Sequence, residues 1–173
     1  MPTLANYSAF ETLRDGHRVE IRALRPDDQA GLIAAVERTS ARSLQRRFFG
    51  LRRTFTDQEV AFFVNVDFIN HVALLALIHE GDRSVIAGGG RYIVMRPGHA
   101  ELALVVLDEY QAHGIGRALM HHLTTIARGA GLHTLVAEVL SENAPMLKLF
   151  KTSGLQLSTK REGDVTHVTI SLC

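Results

Sequence analysis

Two glycines one residue apart, Gly114 and Gly116, stand in the string QAHGIGRAL, between an apolar run ending at Leu107 and an amphipathic run that follows. A turn of this kind gathers backbone N–H groups at the start of a helix, where phosphate oxygens bind. Glycine suits it because it has no Cβ to hold an anion away and because it tolerates positive φ. The N–H groups of His113, Gly114, Ile115, Gly116, Arg117 and Ala118 are the candidate donors, with His113 expected to use its backbone rather than its ring. Arg117 is a cation at the positive end of a helix, which makes sense if an anion neutralises it. The dinucleotide fingerprint G-x-G-x-x-G is met only in part. Leu119 replaces its third glycine, six residues separate Leu107 from Gly114, and strand-like runs rather than a βαβ unit come first. One feature favours a dinucleotide: Glu138, on the next strand-like run, lies about where a ribose-binding acid would. The triphosphate string G-x-x-x-x-G-K-[ST] does not occur.

Upstream, Glu101 opens the apolar run ELALVV. Period-2 alternation places Glu101, Ala103 and Val105 on one face and Leu102, Leu104 and Val106 on the other. A carboxylate on an apolar strand is expected to be desolvated, which raises its pKa and suits a general base. A strand-end glutamate in solvent has the same sequence, and the residues alone leave both readings open. The chain has nine histidines, but the adjacent His121 and His122 lack the i, i+4 spacing of two metal ligands, so they are expected on a helix surface with no metal. Cys173, the last residue, has no base nearby in sequence and is not expected to act as a nucleophile.

These residues need elements to hold them. Residues 1–16 are expected to be a loosely held arm. RVEIRAL (18–24) alternates as a half-buried strand, and Pro26, Asp27 and Asp28 open a helix whose buried stripe is Leu32, Ile33 and Val36. Thr56 and Glu59, at capping-box spacing, start a second helix. Three runs, 71–80, 84–95 and 99–107, joined by GDR and RPG, read as an antiparallel meander. The glycines of AGGGRY within it mark a bulge or kink. After the glycine turn, Leu119, Leu123, Ile126 and Ala127 form a helical stripe, followed by a strand (HTLVAEVL), a short helix closed by Gly154, and a final hairpin. The arginine-rich stretch 42–53 reads as a solvated face with Phe48, Phe49 and Leu51 beneath it, or as a surface that steers an acidic partner.

The 173 residues fit one domain with a sizeable core. A net charge of +1 gives no field to draw nucleic acid or membrane, and neither is expected as a partner. A single terminal cysteine and the lack of a basic-then-apolar leader lead to the expectation of a reduced, cytoplasmic setting.

Gln111, Gly114 and Gly116 match the [RQ]-x-x-G-x-[GA] signature, and the chain resembles the GNAT acyltransferases from about residue 17 to 172. The segment 25–77 is most similar to bacterial protein-lysine acetyltransferases of the Pat type. The resemblance implies a GNAT fold, a mixed, mostly antiparallel α/β sheet of about six to seven strands flanked by about four helices. It implies acetyl-CoA as co-substrate without a metal, and N-acetylation of a primary amine by direct transfer in a ternary complex. The implied acceptor is a protein lysine, an acyl-CoA synthetase being one candidate, with a small amine as the alternative. A non-catalytic acyl-CoA sensor is a third reading, and the chain is expected to be a monomer or homodimer. Glu101 aligns with the general base of Pat-type enzymes. Backbone N–H groups of Val105, Val106 and Leu107 are the implied oxyanion donors, and Asn143 the implied contact to the pantetheine arm. Phe150 stands seven residues after Asn143, where many relatives have a proton-donating tyrosine, so water or direct release must serve the thiolate. Stand-alone, the domain would lack the regulatory partner domains common in that group.

Overall fold

The computed structural model describes residues 4–38, 58, 64–107, 110 and 114–172. Eight strands form one sheet: β1 (Ser8–Thr12), β2 (Arg18–Ala23), β3 (His71–Glu80), β4 (Arg83–Arg96), β5 (His99–Val106), β6 (Thr134–Leu140), β7 (Gln156–Glu162) and β8 (Val165–Ser171). Their spatial order is β1-β2-β3-β4-β5-β6-β8-β7. The described helices are α1 (Gln29–Arg38), α2 (Ile115–Gly129) and α3 (Ala144–Lys151). None of them is long and apolar enough to cross a membrane. The helix expected from Thr56, the arginine-rich stretch and Cys173 lie outside the described residues, as do the side chains of Ile33 and Val36.

The expected meander is present: β3, β4 and β5 pair antiparallel in succession. β5 and β6 are the parallel pair, and α2 is the crossover such a pair requires. The expected stripe of α2 faces the sheet, with Leu119, Leu123 and Ala127 fully buried and Ile126 nearly so. It covers Val19 and Ile21 of β2, Val72 and Leu74 of β3, and Leu102 and Leu104 of β5. α1 takes part of the opposite face, where Leu32 packs against a smaller cluster of Leu24, Ala73 and Leu75.

The N-terminus differs from expectation and accounts for the higher strand count. Residues 8–12, assigned from sequence to a loose arm, pair with all but the last residue of β2. This strand changes the setting of His122, expected on a surface and instead buried. Its Nδ1 bonds to the hydroxyl of Tyr7 and its Nε2 lies 2.8 Å from Glu11 Oε1. A five-residue strand with only Ala9 and Phe10 apolar carries no recognisable period, so neither the strand nor the histidine's partners could be read locally.

Among the described residues, one buried side-chain polar atom has no hydrogen-bond partner, the hydroxyl of Tyr92 on β4. Tyr92 is fully buried, and burial pushes that hydroxyl's pKa up to about 12. An unsatisfied buried hydroxyl costs about 1–3 kcal/mol. Tyr92→Phe is therefore expected to match or exceed the wild type in stability, by about 1 kcal/mol in urea melts. A loss of that size would mean that the hydroxyl is satisfied after all.

Candidate active site

β5 pairs with β4 along its whole length, from Arg96↔His99 to Gly88↔Val106, and β6 with β8 from Thr134↔Ser171 to Leu140↔Val165. β5 and β6 pair with each other at only three positions, the last being Glu101↔Val136. Beyond that pair they part, leaving a V-shaped crevice with Leu102–Val106 on one limb and Ala137–Leu140 on the other. Glu101 stands at its vertex.

The limbs present backbone. Leu107 donates its N–H to Ala87 O at 2.8 Å, toward β4. Alternation then turns the N–H of Val106 the other way, toward the crevice, and that of Val105 back toward β4. Of the three oxyanion donors implied by the resemblance, Leu107 is already engaged by its own hydrogen bond to β4.

The glycine turn closes the same end of the molecule. Gly114 is the N-cap of α2, in the left-handed region at φ 92°, and makes no side-chain capping bond of its own. The next three N–H groups, of Ile115, Gly116 and Arg117, are those a first turn leaves without a helical acceptor. Ala118 differs: its N–H bonds to Gly114 O at 3.1 Å, so it offers no donor to a phosphate. Gly116 sits where an added Cβ would lie 3.1 Å from Leu149 of α3 and 3.6 Å from Val106, so helix start, crevice limb and α3 meet at one point. Arg117 is exposed and reaches Thr152 O at 3.3 Å. Gln111 and His113 lie outside the described residues.

Asn143 is buried and caps α3, its Oδ1 accepting from Met146 N at 3.2 Å. Its carboxamide oxygen thus holds the helix beside the crevice. Phe150 is 2% exposed and belongs to the main core, where it has no proton to give.

Glu101 is exposed, which corrects the expected desolvation. Its neighbours Leu102 and Leu104 face α2, whereas Glu101 points to the other side of the sheet, which α2 does not cover. Two residues unnoticed in the sequence share that side. His71, Ile93 and Glu101 lie in one row across β3, β4 and β5, and Arg91 on β4 bonds to His71 Nε2 at 2.9 Å. Three backbone N–H groups, of Ile69, Asn70 and His71, converge at 2.9 Å on Asp67 Oδ1 and fix the chain leading into His71. Only the register across three strands brings these residues together, so no local signal marks them.

Burial, reinforced by Arg91, pushes the His71 pKa down to about 4. The folded protein therefore keeps His71 neutral where the unfolded chain, near 6.5, already takes a proton. Above about pH 6.5 the group does not affect stability; between there and about pH 4 stability falls as pH falls. The melting temperature is expected to drop from pH 7 to pH 5, and to drop less in His71→Asn. Equal drops in the two proteins would show that another group governs this window.

The family model for the acetyltransferase (GNAT) family matches residues 38–155. The chain belongs to the GNAT acetyltransferase family. The GNAT domain of S. lividans PAT superposes with a TM-score of 0.86 at 29% identity, covering 95% of this chain and 96% of that one. Acetyltransferase PA5475 of Pseudomonas aeruginosa is 29% identical over 140 residues, 80% of this chain and 75% of that protein. Acetyltransferase Pat of Mycolicibacterium smegmatis is 30% identical over 146 residues; the match covers 82% of this chain and 42% of that protein. The molecule is thus a Pat-like GNAT domain and an acyltransferase, and the family's acyl donor is acetyl-CoA.

Proposed function

We propose that this GNAT domain transfers acetyl from acetyl-CoA to a primary amine, the side chain of a protein lysine, with Glu101 as general base. The observation that carries this reading is the position of Glu101, an exposed carboxylate at the vertex where β5 and β6 part, on the face of the sheet away from α2. The crevice suits the donor. The N–H groups of Ile115, Gly116 and Arg117 at the helix start would hold the pyrophosphate, and Asn143 and Phe150 would flank the pantetheine arm. Acetyl-CoA supplies the acyl group as a thioester.

Glu101 accepts the proton that the ammonium must lose before its nitrogen can attack, and the carbonyl oxygen that becomes anionic needs a backbone N–H donor from the crevice limb. Phe150 can give no proton, so the thiolate leaves unprotonated or takes its proton from water. Exposure of Glu101 favours an acceptor presented from a larger surface over a small amine enclosed on all sides, and an acyl-CoA synthetase lysine is a candidate of that kind. The reading includes a cytoplasmic protein acting as monomer or homodimer.

The test is mass spectrometry of candidate proteins incubated with the enzyme and acetyl-CoA, alongside a panel of polyamines and amino acids. Acetyl groups are expected on particular protein lysines, with free thiol released in step. Transfer to small amines alone would overturn the lysine reading. Binding of acetyl-CoA without thiol release for any acceptor would leave a sensor.

A further inference from the structure

The glycines of β4 stand directly behind the crevice limb. The register of β3 against β4 slips by one residue at Ala76/Leu77, so that Ala87 bulges out of the ladder, as expected for this glycine cluster. The bulge turns the carbonyl of Ala87 toward Leu107 N and brings Gly88 opposite Val106. A methyl group on Gly88 would stand 2.6 Å from the Val105 carbonyl oxygen and 3.2 Å from Val106 Cα. Those are backbone atoms, and no rotamer can move them aside. At Gly90 a methyl would meet Leu104 Cδ2 at 2.5 Å and Leu123 Cδ1 at 2.7 Å, both ends of side chains that can turn. Gly89 faces the other side of the sheet, where the nearest atoms lie at 3.2 and 3.4 Å.

We propose that Gly88 is a positioning residue for the acyl-CoA crevice. It lets β4 lie close against Val105–Val106, and so sets the distance between that limb and the turn opening α2. Gly90 does the same more softly beneath Leu123. The inference rests on the reading of the crevice as the acetyl-CoA site. Its mechanical content is a chain of close packing: Gly88 against Val106, Val106 against Gly116, and Gly116 against Leu149 of α3. A methyl at the first link moves the limb that carries Val106, and it touches no acceptor-side residue.

Calorimetric titration with acetyl-CoA and steady-state kinetics test this. Gly88→Ala is expected to bind acetyl-CoA about tenfold more weakly and to raise its KM similarly, with the KM for the amine unchanged. A variant that was merely less stable would lose active fraction, which lowers apparent kcat and leaves KM alone. Gly129→Ala, whose methyl meets no atom of the other described residues within 4 Å, is the control expected to behave as wild type. Should Gly88→Ala fail to fold, Gly90→Ala decides, with a loss of affinity of about threefold. Leu123→Val in the same chain is expected to restore part of that affinity by withdrawing the Cδ1 methyl, the contact with Leu104 remaining. An unchanged KM for acetyl-CoA in the folded single variants, or no recovery in the double variant, would overturn the proposal. A wild-type protein that bound no acetyl-CoA would overturn the coenzyme reading beneath it.

Discussion

Glu101→Gln is expected to lower kcat/KM for amine acetylation by about 10²–10³-fold at neutral pH, with acetyl-CoA affinity unchanged. The substitution keeps shape and hydrogen-bonding capacity and removes only the ability to take a proton. At neutral pH nearly every lysine amine is protonated, because its pKa is about 10.4. The wild type removes that proton at the site, whereas the variant depends on the small free-amine fraction in solution. Its rate is therefore expected to rise about tenfold per pH unit as that fraction grows, and the gap to the wild type to narrow toward pH 10. A Glu101→Gln protein with wild-type kcat/KM at pH 7 would remove Glu101 from the mechanism. A uniform loss at every pH would mark Glu101 as a binding group rather than a base. Position supports the prediction: Glu101 is exposed and sits on the last paired residue before the strands part, where it can reach both an incoming amine and the crevice.

Gly114→Val carries the second large effect, on the donor. Gly114 holds φ 92° with no atom of the other described residues within 4 Å of where a Cβ would be, so among them the penalty is conformational and not a collision. A β-branched residue in the left-handed region costs about 1–3 kcal/mol. The chain can relieve that strain by turning the peptide, which swings the N–H groups of Ile115 and Gly116 away from the anion they would hold. Acetyl-CoA binding is expected to weaken by about 10–100-fold in titration calorimetry, at about 1.4 kcal/mol per tenfold. The amine-dependent step at saturating acetyl-CoA should change far less. Unaltered affinity would mean that the phosphates bind elsewhere.

The two predictions draw on features of different legibility. The turn and the stripe of α2 were visible in the sequence because both are local: glycines at fixed spacing, then apolar residues every three or four positions that are all buried. The alternation around Glu101 was local too, and the side chain lies on the face it indicated. Its exposure was not readable, because that depends on what covers the face, and α2 covers the other one. Tertiary pairing accounts for the remaining differences. His122 was expected at a surface and is buried because β1, too short and too polar to show a period, brings Tyr7 and Glu11 to it. The crevice exists because β5 and β6 stop pairing after Glu101↔Val136, a relation between residues 35 apart that no window of sequence contains. His71 and Arg91 meet across β3 and β4 for the same reason.

The claim that acetyl-CoA lies between the parting strands can be measured by titrating isotope-labelled protein with acetyl-CoA and following backbone amide resonances. Shifts are predicted at Leu102–Leu107, Ala137–Leu140 and Ile115–Arg117, the two limbs and the helix start. Shifts confined to the β7–β8 hairpin or to α1, with these three segments unmoved, would contradict the account.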